Sequence, residues 1–373
     1  YKLSKSSIVF ICGNGDTLYR FRLELIKRFL EKDFIVHTFA PEIPDDFLAE
    51  LKTLGVIYHN ISFKRKTVNI FDTLISIFDI TKKLRHIKPS IVFSYTHKSV
   101  IVGSICSLLA GRLRSISLIT GTGHIFDDHT IINKLKRFLG ILGFKISLLI
   151  SEIVFFQNPD DLDFFCDLGM TSRSKSRLLN GSGVDLDKFS PTPLPDGPVF
   201  LCMSRLIESK GLLDYAKAAK IVKSQYPDSR FLLYGFPDNH EDSIDESEII
   251  NNWYNQYGIE YFGFTNDPVD TISSCSAYVL LSYNEGTPRS VLEAMAMGRP
   301  IITTDVPGCR ETVKSKSNGF LVKLKDSDSA ANAMIKLLDQ GLRQRMGENS
   351  RKICVEKYDV HLVNNVIMSE LNV

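Results

Sequence analysis

Short apolar runs alternate with helix-patterned segments from one end of this 373-residue chain to the other. Near the start, residues 8–12 have the length and composition of a buried strand, and residues 18–29 place apolar side chains at helical spacing. Residues 34–39 form the next apolar run. This order predicts right-handed parallel units, in which a helix packs against the sheet between successive strands. Further strands of this series are predicted at 55–58, 91–94 and 116–119.

A proline-rich segment separates this series from a second one. Residues 190–198 contain four prolines, which is typical of a linker. After it, strands are predicted at 199–203, 231–235, 259–262, 277–282 and 300–304, with helices at 212–223, near 244–257, near 267–274 and at 288–297. Because the chain is long enough for two domains of about 180 residues each, we predict one domain over 1–190 and another over 191–373. The last helix is expected to pack back on the first domain.

Composition excludes several classes of protein. The net charge of +2 does not favour a general nucleic-acid binder, so no nucleic-acid partner is expected. No uncharged apolar run reaches the length of a membrane-spanning helix. The seven cysteines are scattered in apolar contexts and form no C-x-x-C pair, so we expect buried free thiols and a reducing, cytoplasmic compartment.

Two carboxylates mark the segment between the predicted strands 277–282 and 300–304. Glu285 lies in a loop, and Glu293 lies seven intervening residues later on a short helix. Thr287 is a candidate N-cap and Pro288 a candidate first helical residue. Since side chains lean toward the N-terminus of their helix, Glu293 is expected to reach toward the loop that carries Glu285.

The start of this helix is also a candidate anion site. The backbone N–H groups of Arg289, Ser290 and Val291 have no partner within the helix and favour a negative charge. An anionic group beside two carboxylates that accept hydrogen bonds from hydroxyls suits a phosphate attached to sugars. The alternative is that Arg289 and Glu293 form an ordinary helical ion pair and that residues 285–286 form a solvated turn. The apolar neighbours of Glu293 favour burial, which requires a partner for its charge.

Two cations follow the first strand of the second series. Arg205 and Lys210 come after residues 199–203 and precede the helix 212–223. Placed beside the start of helix 288–297, they could neutralise a diphosphate without a metal, so no essential metal or other cofactor is predicted. The alternative is a pair of solvated loop charges.

The first series offers weaker candidates at the ends of its strands. Gly13 and Gly15 form a tight turn, but the third glycine of the dinucleotide fingerprint and the ribose-binding acid are absent, which disfavours a nicotinamide dehydrogenase. His97, Lys98 and His124 follow predicted strands, where ligands bind in open parallel sheets. The alternative for each histidine is a hydrogen-bonded loop residue.

Two stretches of the first series are both basic and apolar, 62–67 and 134–150. The second carries Lys134, Lys136, Arg137 and Lys145 along a strongly apolar helix and predicts a peripheral contact with a membrane. The alternative for the second stretch is a core helix with a solvated basic edge.

The second half resembles the C-terminal half of retaining glycosyltransferases of family GT4, which have the GT-B fold. The residues that carry the resemblance are Ser204, Arg205, Lys210 and Gly211, the segment 285–300 with its E-x7-E signature, and the flanking segments 180–185 and 305–311. In the first half, residues 18–22, 96–98 and 119–124 resemble bacterial enzymes that extend lipid-linked glycans, such as those transferring N-acetylgalactosamine to polyprenyl diphosphate sugars. The resemblance implies an α/β protein of two Rossmann-like domains facing each other across a cleft, with the acceptor domain first and the donor domain second.

The resemblance also implies roles for individual residues. Donor contacts are implied for Gly13, Gly15, Arg205, Lys210, Gly263, Phe264, Thr265, Glu285, Gly286, Thr287, Pro288, Arg289, Ser290, Val291, Leu292 and Glu293. Acceptor contacts are implied for Tyr19, Arg20, Arg22, His97, Lys98 and His124. Catalytic roles are implied for Arg205, Lys210, Glu285 and His124. One departure from the family is Thr120, which stands where many members carry a histidine that touches the transferred sugar.

The expected activity is therefore transfer, with retention, of a hexose or N-acetylhexosamine. The expected donor is a nucleotide sugar, UDP-linked, and the expected acceptor is a polyprenyl-diphosphate-linked glycan of surface polysaccharide, such as O-antigen or capsule. The expected location is the cytoplasmic face of the cell membrane. Two other functions share this architecture: a nucleotide-sugar epimerase, which needs no acceptor, and a non-catalytic subunit that binds nucleotide sugars.

Overall fold

The computed structural model describes residues 5–61, 70–122, 134–238 and 242–373, without the side chains of 70–71 and 134–137. The chain divides into two compact units. The first unit comprises Tyr1–Ser182 together with Asn364–Val373, and the second comprises Gly183–Val363.

The first unit is built on a parallel sheet with the strand order β3-β2-β1-β4-β5-β6-β7. Its strands are β1 (Ser7–Ile11), β2 (Ile35–Ala40), β3 (Ile57–Asn60), β4 (Ile91–Tyr95), β5 (Ser115–Ile119), β6 (Ile153–Phe156) and β7 (Ser176–Leu178). Its helices are α1 (Gly15–Glu31), α2 (Asp45–Thr53), α3 (Ile70–Ile87), α4 (His97–Leu109), α5 (Lys134–Ile150) and α6 (Pro159–Asp167). Both faces of this sheet are covered: in β1, Phe10 packs into one apolar cluster with α1, and Val9 packs into another with α3.

The second unit is built on a parallel sheet with the strand order β10-β9-β8-β11-β12-β13. Its strands are β8 (Val199–Met203), β9 (Arg230–Tyr234), β10 (Ile259–Tyr261), β11 (Ala277–Leu280), β12 (Ile301–Thr304) and β13 (Gly319–Val322). The helices along this part of the chain are α7 (Leu212–Gln225), α8 (Glu246–Glu248), α9 (Tyr254–Tyr257), α10 (Pro268–Ser273), α11 (Arg289–Ala296), α12 (Ser327–Lys336), α13 (Gln340–Lys357) and α14 (Val360–Leu371). A π-helical turn, Ile249–Trp253, joins α8 to α9, and residues 364–371 of α14 belong to the first unit.

The strands predicted from the apolar runs are confirmed within one or two residues at each end. They form because four or five consecutive apolar residues bury both of their faces between helices, as the residues of β1 do. The predicted helix near 244–257 is present, but the π-helical turn interrupts its regular hydrogen bonding.

The division between the units lies between Ser182 and Gly183, whereas the sequence placed it at the proline-rich segment. The proline-rich segment itself is fixed to the second unit by Arg299, a fully buried arginine of that unit. Its guanidinium donates to the carbonyl oxygen of Thr192 at 2.7 Å, to the Thr192 hydroxyl at 2.6 Å and to the Pro193 carbonyl at 3.3 Å. These bonds fix the start of the proline-rich segment on the second unit, so it is not a free linker. As expected, the end of the last helix packs in the first unit, where Ile367 and Leu371 join its core.

The cysteines are free thiols, as expected. Six of the seven are buried and Cys166 is half-buried. Across the ranges that the structure describes, none of the helices combines the length and apolar character needed to cross a bilayer.

Candidate active site

The second sheet reverses its winding direction between β8 and β11. These two strands are neighbours and run parallel, and β9 and β10 lie on one side of them while β12 and β13 lie on the other. The loops that leave their carboxyl ends therefore diverge. This switch point is where open α/β sheets bind their ligands.

The loop after β8 carries the two predicted cations and ends at Gly211, where the backbone conformation and close packing require a glycine. Gly211 has a φ of +67°, and a Cβ at this position would lie 2.1 Å from the carbonyl oxygen of Leu281. The loop is thus held directly against the end of β11. The backbone N–H of Tyr283 adds a 2.9 Å hydrogen bond to the Ser209 carbonyl. Lys210 consequently reaches the loop that follows β11.

Lys210 and Glu285 meet at this switch point. The Lys210 ammonium donates to Glu285 Oε1, which also accepts a 2.8 Å hydrogen bond from the Ser282 hydroxyl. Both side chains are mostly buried, with 15% and 16% of their surface exposed. The sequence alternative of two solvated loop charges is therefore wrong for Lys210. The ion pair holds a carboxylate and an ammonium group at the carboxyl edge of the sheet.

Arg205 has a partner that sequence reasoning missed. Its guanidinium donates to Asp238 Oδ2 at 2.5 Å, and the exposed fractions are 31% for Arg205 and 17% for Asp238. Asp238 lies four residues after the end of β9, the neighbour of β8. The rule that polar residues after parallel strands gather at one edge could have identified it.

Helix α11 begins at Arg289 with Pro288 at the N-cap position, one residue later than predicted. The prediction of Thr287 as the N-cap is wrong because Pro288 occupies that position, and the Thr287 hydroxyl donates to the Gly286 carbonyl at 2.9 Å. The helix start still follows directly on the loop of Glu285.

Glu293 pairs with Arg289 one turn earlier. Arg289 Nε donates to Glu293 Oε1 at 3.1 Å, and the two side chains are 18% and 15% exposed. The ion pair that the sequence offered as an alternative is therefore formed, but it is mostly buried and is not a surface pair. The guanidinium fixes this carboxylate in place, and a carboxylate accepts hydrogen bonds from hydroxyls.

The loop of Glu285 is fixed from the other side by a second tight glycine. Gly308 has a φ of +77°, and a Cβ there would lie 2.2 Å from the Glu285 carbonyl oxygen and 2.5 Å from that of Gly286. The Glu285 N–H also donates to the Pro307 carbonyl at 3.3 Å. The turn after β12 therefore sets the height of Glu285 above the sheet.

The predicted base-contacting segment follows β10. Gly263 has a φ of +72°, and Phe264 is 52% exposed with its ring edge-to-face against Phe236 at 5.5 Å. The Thr265 hydroxyl is hydrogen-bonded to that of Thr271 at 2.9 Å. Two partly exposed aromatic rings at a strand end offer flat apolar faces to a planar ligand.

In the first unit, the glycine turn after β1 lies at the corresponding switch point, between β1 and β4. Gly13 lies close to the start of α4, where a Cβ added to it would be 3.3 Å from the hydroxyl oxygens of Thr96 and Ser99. Gly15 is the first residue of α1, where a Cβ would lie 2.4 Å from Ile43. Close packing thus requires the glycine at position 15, whereas a Cβ at position 13 would need only a small shift of the two hydroxyls.

The predicted acceptor residues of α1 have structural partners. Tyr19 stacks on Phe47 at 3.9 Å and donates to Glu50 at 2.5 Å, a bond that raises the pKa of Tyr19 to about 12. Arg20 forms a 2.8 Å ion pair with Asp16. Arg22 is 2% exposed. Its guanidinium lies 5.0 Å from the centre of the Tyr95 ring.

The predicted residues after β4 begin helix α4. His97 Nε2 donates to the carbonyl oxygen of Gly121 at 2.8 Å, which links the loops after β4 and β5. Burial lowers the pKa of Lys98, and Asp72 opposes this shift. His124 and the stretch 62–67 lie outside the described residues.

The second unit matches a known family. Residues 184–353 match the family model described as glycosyl transferases group 1. The chain is also similar to the N,N'-diacetylbacillosaminyl-diphospho-undecaprenol alpha-1,3-N-acetylgalactosaminyltransferase of Campylobacter jejuni, at 26% identity over 95% of the chain and 96% of that protein. A second relative is the UDP-Gal:alpha-D-GlcNAc-diphosphoundecaprenol alpha-1,3-galactosyltransferase of Escherichia coli, at 25% identity over 79% of the chain and 78% of that protein.

The fold of the whole chain has solved counterparts. The structure of Anabaena HepE in complex with UDP and glucose superposes with a TM-score of 0.81, covering 98% of this chain and 99% of that one at 16% identity. TarM superposes with a TM-score of 0.74, covering 100% of this chain and 99% of that one at 13% identity.

Proposed function

Because this chain is a glycosyltransferase of the GT-B fold, we propose that it moves a hexose or N-acetylhexosamine from a nucleotide sugar to a polyprenyl-diphosphate-linked glycan, with retention of configuration. The fold and the transferase activity expected from the sequence are confirmed. The observation that carries the proposal is the pair of Lys210 and Glu285 at the switch point of the second sheet.

The two cations are proposed to bind the donor diphosphate. Lys210 and Arg205 are each held by one carboxylate, at Glu285 and Asp238. A diphosphate brings more negative charge than a single carboxylate, so it is expected to replace these partners. Glu285 would then accept hydrogen bonds from hydroxyls of the transferred sugar, and Glu293 would accept them from the ribose. The start of α11 would add the backbone N–H groups of Arg289 and Ser290. The third predicted donor, the N–H of Val291, donates instead to the Pro288 carbonyl at 3.1 Å.

The same cations are proposed to drive the chemistry. Breaking the anomeric C–O bond leaves negative charge on the departing diphosphate, and a fixed ammonium and guanidinium stabilise that charge. The leaving phosphate oxygen would take the proton of the acceptor hydroxyl on the same face of the sugar, which retains its configuration. We propose that no metal is essential. Transfer should be unchanged in EDTA, and its loss in EDTA with recovery on adding Mn²⁺ would contradict this.

The lipid-linked acceptor and the uridine donor are supported by the relatives. The names of the Campylobacter jejuni and Escherichia coli proteins specify diphospho-undecaprenol-linked acceptors, and the second also specifies UDP-Gal. The capsular polysaccharide biosynthesis protein CapM of Staphylococcus aureus is 25% identical over 85% of the chain. We therefore propose that this chain acts in surface polysaccharide assembly. We also propose that the exposed rings of Phe236 and Phe264 contact the base of the donor.

Radiolabelled donors distinguish the proposal from its two competitors. The protein would be incubated with UDP-, GDP- and dTDP-sugars, with and without a short polyprenyl-diphosphate-linked saccharide. Label that enters the lipid fraction only when the acceptor is present supports transfer. Interconversion of the donor without an acceptor would indicate an epimerase, and binding without turnover would indicate a non-catalytic subunit.

The first unit carries an exposed apolar surface that suits a membrane. Helix α4 packs between α3 and α5 on one side of the sheet, and the outer two helices expose large apolar side chains. We define this apolar face by Leu74, Ile75 and Phe78 of α3 and by Phe138, Leu139, Leu142, Ile146 and Leu149 of α5. The most exposed are Phe78 at 74%, Ile75 at 64% and Phe138 at 61%. The sequence alternative, a core helix with a basic edge, does not account for this exposure.

We propose that the apolar face lies against the cytoplasmic surface of an anionic membrane. The sequence of α5 contains four basic residues and no acidic one, and its Lys145 is exposed. The side chains of Lys134, Lys136 and Arg137 lie outside those described. Helices that lie in a membrane interface usually place apolar side chains at the acyl boundary and basic groups at the lipid headgroups.

Vesicle flotation tests this surface. The wild-type protein should float with vesicles of phosphatidylglycerol and phosphatidylethanolamine and float less with phosphatidylcholine. Phe78→Ser with Phe138→Ser should abolish flotation, while the matched pair Ile250→Ser with Tyr254→Ser, which are 61% and 62% exposed on the second unit, should not. Equal flotation of both variants would contradict the proposal. If the wild type does not float but forms dimers, and Phe78→Ser with Phe138→Ser dissociates them, the apolar face is instead a contact with a protein partner.

A further inference from the structure

Arg289 bridges two parts of the second unit that the proposed reaction does not otherwise connect. Its Nε donates to Glu293 Oε1 at 3.1 Å, and its Nη1 donates to the carbonyl oxygen of Gly183 at 2.5 Å. The side chain is 18% exposed. One planar guanidinium thus joins the proposed ribose-binding carboxylate to the first residue of the second unit.

Gly183 lies where the chain enters this unit, beside the place where it leaves. Val184 N–H donates to the Tyr358 carbonyl at 2.7 Å, and Val360 N–H donates to the Val184 carbonyl at 3.0 Å. Gly183 has a φ of +71°, and a Cβ there would lie 2.5 Å from Val360 Cα. The chain passes between the units at 182–183 and at 363–364. The segments that lead to both crossings are therefore hydrogen-bonded to each other, and we call 183–184 with 358–360 the paired crossing.

We propose that Arg289 is a positioning residue that couples ligand binding at Glu293 to the geometry of the paired crossing. The proposal rests on the proposed function for one point, the ribose contact of Glu293. A guanidinium presents its donors in a rigid fork, so a shift of the Glu293 carboxylate toward a ligand tilts the plane and changes the bond to the Gly183 carbonyl. A lysine retains the charge but has no such fork.

Arg351 provides a matched control. Its Nη1 donates to the carbonyls of Phe189 at 3.2 Å and Ala296 at 2.9 Å. It therefore holds the same entering segment on α11 through backbone carbonyls. Among the residues that the structure describes, it bonds to neither proposed donor carboxylate. A purely structural arginine should affect exchange in this segment to the same extent with and without nucleotide.

Amide hydrogen exchange of the full chain tests the coupling, first without nucleotide. Exchange of the Val184 and Val360 amides should rise about five-fold in Arg289→Lys, the effect of losing about one hydrogen bond. Glu293→Ala should raise it as well, because Arg289 then loses the carboxylate that fixes the plane of its guanidinium. Unchanged exchange of both amides in Glu293→Ala would overturn the proposal.

The second measurement adds uridine diphosphate or guanosine diphosphate. Nucleotide should change the exchange of the paired crossing in the wild type and in Arg351→Lys, but not in Arg289→Lys at saturating nucleotide. An equal response in Arg289→Lys would overturn the coupling. If neither nucleotide binds the wild type, the ribose role of Glu293 fails, and the measurement without nucleotide still decides whether Arg289 transmits a change at Glu293.

Turnover gives a readout that loss of stability does not produce. Arg289→Lys keeps the charge beside Glu293, so KM for the donor should change less than three-fold while kcat falls at least ten-fold. A ten-fold rise in KM at unchanged kcat would make Arg289 a donor-binding residue and would refute its role as a coupling residue.

Discussion

Removal of the Lys210 ammonium should lower both the stability of the fold and the affinity for nucleotide. A second change at its partner, Glu285, should restore the stability but not the affinity. In Lys210→Met the Glu285 carboxylate, 16% exposed, loses its cation. A hydrogen bond between charged groups contributes about 1.5–3 kcal/mol, and leaving a mostly buried charge without its ion-pair partner costs at least as much. We therefore expect the free energy of unfolding to fall by about 2–3 kcal/mol. Lys210→Met with Glu285→Gln removes both charges and should recover all but about 1 kcal/mol.

Nucleotide affinity should not recover in the same double variant. The diphosphate loses its ammonium in both variants, so each should bind uridine diphosphate roughly a hundred-fold more weakly, or about 3 kcal/mol.

The assay for stability is urea unfolding followed by the fluorescence of Trp253, the single tryptophan, which is buried in the core of the second unit. Calorimetric titration measures affinity, and Lys217→Met, an exposed lysine on α7, is the control for charge removal. A double variant that is no more stable than Lys210→Met, or that binds like the wild type, would refute the reasoning.

Two further predictions concern buried polar groups. Burial raises the pKa of the Asp161 carboxyl to about 7, against a hydrogen bond from Asn158 that lowers it. The folded chain thus binds this proton more tightly than the unfolded chain, so the stability contribution is complete below about pH 4 and is lost as the pH rises through 7. Asp161→Asn should raise the free energy of unfolding by at most about 4 kcal/mol at pH 8, and with it the thermal midpoint, but should leave both unchanged at pH 4. An equal change at both pH values would contradict this. Arg299→Met should lower the unfolding free energy by about 3–5 kcal/mol in the Trp253 assay, since it leaves several buried carbonyls without donors. It should also expose residues 190–193 to proteolysis. A loss below about 1 kcal/mol would show that other contacts hold the segment.

Apolar runs flanked by turns located most strands because burial on both faces of a parallel sheet leaves a continuous hydrophobic signal. That signal failed for three strands. β6 follows the apolar helix α5 so closely that the two merge in the pattern. β7 contains a single apolar residue, Leu178, and β13 begins with a glycine and has two half-buried central residues, so neither leaves a long continuous apolar run. The sequence boundary between the domains was displaced for a different reason: the prolines did indicate an irregular segment, but only the fold shows that Arg299 fixes it to the second unit.

The sequence predicts those candidate site residues whose place depends only on the strand that they follow. Arg205, Lys210, Glu285 and Glu293 follow strands that turn out to be neighbours at a switch point. Their partners depend on contacts between loops that are distant in sequence, so the pairing of Lys210 with Glu285 and of Arg205 with Asp238 needed the fold. The Arg289 bond to Gly183 joins residues 106 positions apart and leaves no local pattern.

The central claim is that the switch point of the second sheet binds a nucleotide through its diphosphate and ribose. Calorimetric titration of uridine diphosphate and 2'-deoxyuridine diphosphate into wild type and Glu293→Ala tests it most directly. The wild type should prefer the ribonucleotide by about ten-fold or more, the contribution of one hydrogen bond to a charged acceptor, and Glu293→Ala should bind both alike. A wild type that does not distinguish the two, or a Glu293→Ala variant that retains the preference, would contradict the account.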